Sequence, residues 1–96
     1  MDILLTYDVD TTTPAGRRRL RQVAKLCEGY GTRVQKSVFE IVATEVDLLT
    51  LLDSVNKTID PDRDSVRIYR LPHNGFDAVH TLGKAKVQPH REDLVI

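Results

Sequence analysis

The run from Asp2 to Val9 sets the tightest limit on what this chain can fold into. Ile3, Leu5, Tyr7 and Val9 alternate with Leu4, Thr6, Asp8 and Asp10, and alternate residues of a strand point to opposite faces. Both sets are apolar over most of the run, and polarity arrives only at its C-terminal end. Such a strand belongs in the interior of a sheet, with a neighbour on each side. The rest of the chain must supply those neighbours and a layer to cover at least one face.

The remaining sequence has the right pieces. Thr13-Pro14 pairs a hydroxyl able to cap a helix with a proline suited to its first turn. From Gly16 to Glu28, Leu20, Val23, Ala24 and Cys27 recur at helical spacing, with Arg18, Arg21 and Lys25 on the opposite, solvated face. Gly29 and Gly31 end that helix. Residues 32–43 read as one or two strands, with a turn or bulge between Gln35 and Ser37. A second amphipathic helix is expected from Glu45 to Thr58, with Leu48, Leu49, Leu52, Val55 and then Ile59 on its buried side. Asp60-Pro61-Asp62 breaks it, and Ser65 to Leu71 alternates once more, Val66 and Ile68 against Arg67 and Tyr69.

The predicted order is β-α-β-β-α-β, the ferredoxin-like α+β arrangement, with a four-stranded antiparallel sheet and two helices on one face. Ninety-six residues suffice for one such domain, placed here at residues 1–72. The other sheet face is left to be covered by a second chain or a ligand. Residues 73–96 are expected to form a C-terminal extension, polar at first with weak strand character from Val79 to Leu82. It ends in the apolar run Asp93-Leu94-Val95-Ile96, suited to adding to a sheet edge, including that of a partner subunit.

Formal net charge is zero, so whole-molecule electrostatics do not select a partner. The distribution is another matter. Arg17, Arg18, Arg19, Arg21, Lys25, Arg33 and Lys36 face only Glu28 within the same stretch, a local excess of six positive charges. From Ile59 to Arg70, by contrast, Asp60, Asp62 and Asp64 are expected to offset Arg63, Arg67 and Arg70. Cys27 is alone, so a disulfide within the chain is excluded and an oxidising compartment gains no support. The first apolar run is short and contains Asp2, and no segment reaches bilayer-spanning length, so a soluble cytoplasmic protein with no membrane partner is expected.

A carboxylate at a strand end beside clustered cations points to a metal-assisted site for a phosphate-bearing ligand. Asp8 has two readings at this stage: a turn residue ahead of a helix N-terminus, where a carboxylate is favoured, or a ligand for Mg²⁺ or Mn²⁺. Mg²⁺ often takes one or two protein carboxylates and keeps its waters. One carboxylate per chain is thin for phosphodiester chemistry, but a symmetric dimer would bring a second Asp8. The arginines likewise read either as a plain solvated face or as phosphate contacts. Five of the seven cations are arginine, the better bidentate partner of phosphate, and the target would be a nucleic-acid backbone without base readout. His73, His80 and His90 lack metal-ligand spacing, Ser37 and Ser65 have no visible base, and Cys27 lies on an apolar stripe. Tyr7, Tyr30, Tyr69, Phe39 and Phe76 are most simply core or interface aromatics.

The fragments "LLTYDVD", "GRRRLRQVAKLCEGYGTRVQKSVFE" and "DSVRIYRL", in this order over residues 1–72, resemble the small CRISPR-associated protein two family. This is the non-integrase subunit of the spacer-acquisition machinery, and the form resembles the branch of type I subtype C systems. The resemblance implies a homodimer packed through its sheets, a Cas integrase subunit as partner, and a hold on the double-stranded DNA to be inserted. It also implies metal-dependent endonuclease activity on double-stranded DNA or single-stranded RNA, with Asp8 of each subunit holding Mg²⁺ or Mn²⁺ at the dimer cleft. Tyr7, Ser37 and Phe39 would join Asp8 as catalytic positions, and Arg17, Arg19 and Arg33 would hold nucleic acid together with their neighbours Arg18 and Arg21. Two alternatives stand beside this: a non-catalytic adaptor between integrase dimers, and an RNA-cleaving interferase-like toxin.

Overall fold

The computed structural model describes residues 1–83. The chain forms strand β1 (Asp2–Asp8), helix α1 (Pro14–Glu28), strands β2 (Gly31–Gln35) and β3 (Val38–Val42), helix α2 (Glu45–Thr58), strand β4 (Ser65–Arg70) and a short 3-10 turn (Gly75–Ala78). The sheet is antiparallel throughout in the order β2-β3-β1-β4. The doubly apolar β1 thus lies between two neighbours, as its composition requires, and β2 and β4 form the edges.

Local chemistry sets the boundaries. The Thr13 side chain accepts a hydrogen bond from the Gly16 amide, and Pro14 opens α1. Thr44 does the same for α2 by accepting from the Asp47 amide at 3.2 Å. The β2–β3 hairpin turns at Lys36-Ser37, with a bulge between Arg33 and Gln35.

Both helices cover one face. Ile3, Leu5, Tyr7 and Val9 of the β1 segment are buried with Phe39 and Ile41 of β3, Val23, Ala24 and Cys27 of α1, and Leu48, Leu51 and Val55 of α2. The expected stripe of α2 needs one correction. Leu49 is 56% exposed, whereas Leu51 is buried at 1% exposure. Leu48, Leu51 and Val55 face the core, Leu52 and Ile59 pack partly buried against it, and of the expected stripe only Leu49 faces water. On the opposite sheet face, Leu4 lies between Glu40 and Tyr69, and Thr6 lies between Val38 and Arg67. Leu4, Thr6, Val38 and Glu40 are only half-buried, and Arg67 and Tyr69 are exposed.

Beyond β4 the chain forms the 3-10 turn, and Val79 to Leu82 is not a strand, contrary to the sequence pattern. The turn is tied down by the Phe76 amide, which donates to the buried Asp2 carboxylate at 3.1 Å. The apolar end at residues 93–96, and with it the expected extension strand, lies outside the described residues. Among the described residues no helix is long and apolar enough to cross a membrane.

Candidate functional site

Three connections meet at the C-terminal end of β1: the loop 9–13 into α1, the Lys36-Ser37 turn, and the loop 59–64 out of α2. The antiparallel register requires it, because Thr6 pairs with Val38 at the start of β3 and Asp8 with Ser65 at the start of β4. Asp8 is the last residue of β1 and is exposed. Strand alternation puts it on the face opposite the helices, while Tyr7 and Val9 on either side point into the core. The Asp8 carboxylate makes no hydrogen bond or ion pair within the described residues.

Three neighbouring carboxylates, those of Asp10, Asp60 and Asp64, are engaged, whereas Asp62 in the loop 59–64 is exposed. Asp10 Oδ1 accepts from the Thr12 amide at 2.9 Å and the Thr12 hydroxyl at 2.7 Å, and Oδ2 faces Arg63 Nη1 at 3.4 Å. Those Thr12 bonds, with the Arg63 charge behind them, hold the Asp10 carboxyl below its ordinary pKa. Asp60 Oδ1 accepts from the Asp62 amide at 3.0 Å.

Asp64 is the most constrained of the group, its side chain wholly buried. Its Oδ2 accepts from Arg19 Nε at 2.8 Å and from the Asp60 amide at 2.8 Å. Its Oδ1 accepts from the Asp10 amide at 3.0 Å and from Arg19 Nη2 at 3.3 Å. Burial by itself pushes this carboxyl up, but the Arg19 guanidinium and the amides of Asp60 and Asp10 outweigh it and hold the pKa below its ordinary value.

The other expected site residues sort by location. Tyr7 and Phe39 are buried at 5% and 0% exposure. Their rings stack with centroids 6.2 Å apart. The Tyr7 hydroxyl donates to the Lys36 carbonyl at 3.1 Å, and the Tyr7 amide donates to the Ser37 carbonyl at 3.1 Å. Both rings lie on the helix-covered face, opposite the face that carries Asp8, and Tyr7 holds the hairpin turn beside it. Ser37 is half-buried in that turn and reaches β1 through its carbonyl.

The arginines do not form one cluster. Arg17 is exposed at the start of α1 and donates to the Thr11 carbonyl at 3.2 Å, next to the Asp8 loop. Arg18 and Arg21 are exposed and, among the described residues, unpaired with any acid. Arg19 turns inward to Asp64. Arg33 lies on the far edge strand, 5.4 Å above the Phe39 ring and 3.6 Å from Glu28. It borders a shallow groove between α1 and β2, lined also by Leu20, Arg21, Ala24 and Lys25. The ion pairing predicted within residues 59–70 is kept in part and otherwise redistributed: Arg63 pairs with Asp60 at 3.9 Å and also reaches Asp10, Asp64 bonds Arg19, and Arg70 holds Glu45 through bonds of 2.9 and 3.0 Å.

Sequence reasoning missed Asp64 as a site residue. Its signal was the acid that begins "DSVRIYRL", but its partner Arg19 lies 45 residues away in the chain. Among the described residues there is no group of three or more His, Cys, Asp or Glu able to hold a metal ion. Asp8 could hold a divalent ion only as a sparse ligand, with waters or groups from outside this chain completing the shell. An exposed, uncommitted carboxylate fits that sparse arrangement.

Comparison with known proteins agrees with this architecture. The family model described as CRISPR associated protein Cas2 matches residues 1–79. The chain is 45% identical over 96 residues to the CRISPR-associated endonuclease Cas2 of Halalkalibacterium halodurans, covering 100% of this chain and 99% of that one. It is 53% identical over 81 residues to a CRISPR-associated endoribonuclease Cas2 of Rhodospirillum rubrum, covering 84% and 85% of the two chains. The crystal structure of Streptococcus pyogenes Cas2 superposes with a TM-score of 0.78 at 51% identity, over 86% of this chain and all (100%) of that one. With a doubly apolar central strand ending in a free aspartate, and these relatives, the chain belongs to the CRISPR-associated Cas2 family.

Proposed function

We propose that this protein is a metal-dependent endonuclease of CRISPR spacer acquisition, acting as a homodimer on double-stranded DNA or single-stranded RNA. The observation that carries the reading is the isolation of Asp8. Its carboxylate is exposed at the end of the central strand with no internal partner among the described residues, while Asp10, Asp60 and Asp64 around it are engaged. The names of the relatives, endonuclease and endoribonuclease, support the same class of chemistry.

On this reading the half-buried sheet face packs against a second copy, which brings the two Asp8 carboxylates to one cleft. A Mg²⁺ or Mn²⁺ ion held there would polarise the phosphate and lower the pKa of a bound water. The chain itself contributes Asp8 as ligand and Arg17 as backbone-positioning cation, with Arg18 and Arg21 extending the phosphate-binding face along α1. The Lys36-Ser37 turn, held by Tyr7, forms the wall of the cleft. A Cas integrase subunit is the expected partner, the cytoplasm the expected location, and the three sequence fragments support the type I subtype C branch.

The exposed cations of α1 also favour a second reading, a non-catalytic adaptor that grips duplex DNA between integrase dimers. Both are separated by cleavage of duplex DNA and single-stranded RNA by wild-type and Asp8→Asn protein in Mg²⁺, Mn²⁺ or EDTA. The nuclease reading expects metal-dependent cutting that disappears in Asp8→Asn, with stability changed by no more than about 0.5 kcal/mol as for other exposed sites. Unchanged cutting by pure Asp8→Asn protein would sink the catalytic assignment. Tight duplex binding with no cutting in any lane would establish the adaptor.

A further inference from the structure

We infer that Asp64 is a positioning residue: it withdraws Arg19 from the phosphate-binding face and fixes the backbone of the loop that follows Asp8. The kinetic part of this inference rests on the nuclease reading above; the binding and backbone parts do not.

Three observations converge. First, the buried Asp64 carboxylate gathers four donors from three places: Arg19 on α1, the Asp60 amide in the α2–β4 loop, and the Asp10 amide two residues past Asp8. A buried carboxylate with both oxygens doubly satisfied has little freedom to move, since losing any donor leaves charge desolvated. Second, Arg19 is 15% exposed at its side chain and presents Nε and Nη2 to Asp64, so its charge is neutralised where it stands. Third, α1 lies against the same loop from the other side. A Cβ on Gly16 would approach the Asp10 carbonyl oxygen to 1.9 Å, so only glycine allows that approach. The Asp10 residue is thus clamped at its amide by Asp64 and at its carbonyl by α1. The backbone just past Asp8 is held from both sides.

A salt bridge that only adds stability would leave Arg19 dispensable to ligand geometry. The clamp makes a different set of demands. Arg17, Arg18 and Arg21 serve as phosphate contacts, and Arg19 does not. Replacing Arg19 by lysine keeps the charge but loses the fork that engages both Asp64 oxygens.

The test measures duplex DNA affinity against salt, kcat and KM, and the ¹⁵N–¹H positions of the Asp10, Thr11 and Thr12 amides. It uses wild type, Arg17→Gln, Arg19→Gln, Arg19→Lys, Asp64→Asn and the Arg19→Gln/Asp64→Asn double variant. Expected is a log–log salt slope shallower by about 0.9 for the phosphate that Arg17→Gln no longer neutralises, and no change of slope in the double variant. Asp64→Asn and Arg19→Lys should both move the three amides and lower kcat by about 10- to 100-fold at unchanged KM, in line with a misplacement of about 1 Å. A shallower slope in the double variant would overturn the inference, as would full activity of Arg19→Lys or unmoved amides in Asp64→Asn. Should wild type cut nothing, the nuclease reading fails alone, and the slopes and amides still decide the role of Asp64. Should Asp64→Asn not fold, Arg19→Lys decides through the same amides.

Discussion

Replacing Gly16 by alanine reverses the usual rule for glycine in a helix. Within a helix, alanine is better than glycine by about 1 kcal/mol, so Gly16→Ala in the first turn of α1 would ordinarily stabilise. Here the new Cβ would lie 1.9 Å from the Asp10 carbonyl oxygen, and real Cβ atoms keep beyond 3.0 Å. The helix start or the loop must therefore retreat by the difference, about 1.1 Å, and the obstacle is backbone rather than a mobile side chain. Overpacking of this kind costs about 1–3 kcal/mol, and a backbone clash belongs at the upper end. Subtracting the propensity gain leaves a net loss of about 2 kcal/mol. For a domain of this size that lowers the melting temperature by about 8–16 °C. Gly29→Ala is the control: its φ is −71°, and the nearest atom to its Cβ is the Leu26 carbonyl oxygen at 3.4 Å. It should be neutral or stabilising by up to about 1 kcal/mol. Both are read by thermal and urea unfolding at one protein concentration, because coupling to a dimer would make the midpoint concentration-dependent. A Gly16→Ala protein as stable as wild type would refute the reasoning, since it would mean that the loop and α1 do not touch.

The α2 packing predicts that Leu51→Ala loses about 2–5 kcal/mol while Leu49→Ala stays within about 0.5 kcal/mol; equal losses in urea unfolding would return Leu49 to the buried stripe. Burial pushes the Cys27 thiol up from 9.0 to about 11. The protonated form is favoured by folding, so stability should be intact below pH 9 and fall as pH rises from there toward 11. For the same reason native protein should react slowly with a thiol reagent near neutral pH and quickly once unfolded. Asp64 works in the other direction: its pKa is lowered in the folded state, so its stabilisation is present above the ordinary carboxylate value of 3.8 and is lost as pH falls through the lowered one. Acid titration of stability should therefore be steeper in wild type than in Asp64→Asn, and parallel curves would exclude the linkage.

Short-range chemistry was legible wherever one stretch of chain decides the outcome. The alternation through β1 identified a central strand and put Asp8 and Tyr7 on opposite faces of it. Thr13-Pro14 marked the start of α1, and the span Glu45 to Thr58 is unchanged as α2. The failures are of a different kind. Leu48, Leu49, Leu51 and Leu52 are all apolar within little more than one turn, and only packing against the sheet turns Leu51 inward and Leu49 to water. Val79 to Leu82 has apolar content but pairs with no strand among the described residues.

The arginine cluster shows the division most clearly. By itself, the sequence determined the ferredoxin-like order of elements, a surplus of positive charge on α1, and a carboxylate at the end of the central strand. Those follow from periodicity and composition, which act over a few residues. Which cations remain free was decided only when Asp64, 45 residues from Arg19, was folded against α1. A carboxylate taken out of water must find donors wherever the packed chain presents them. The same packing that buried Asp64 took Arg19 off the surface, placed Arg33 beside Glu28, and left Asp8 without a partner among the described residues.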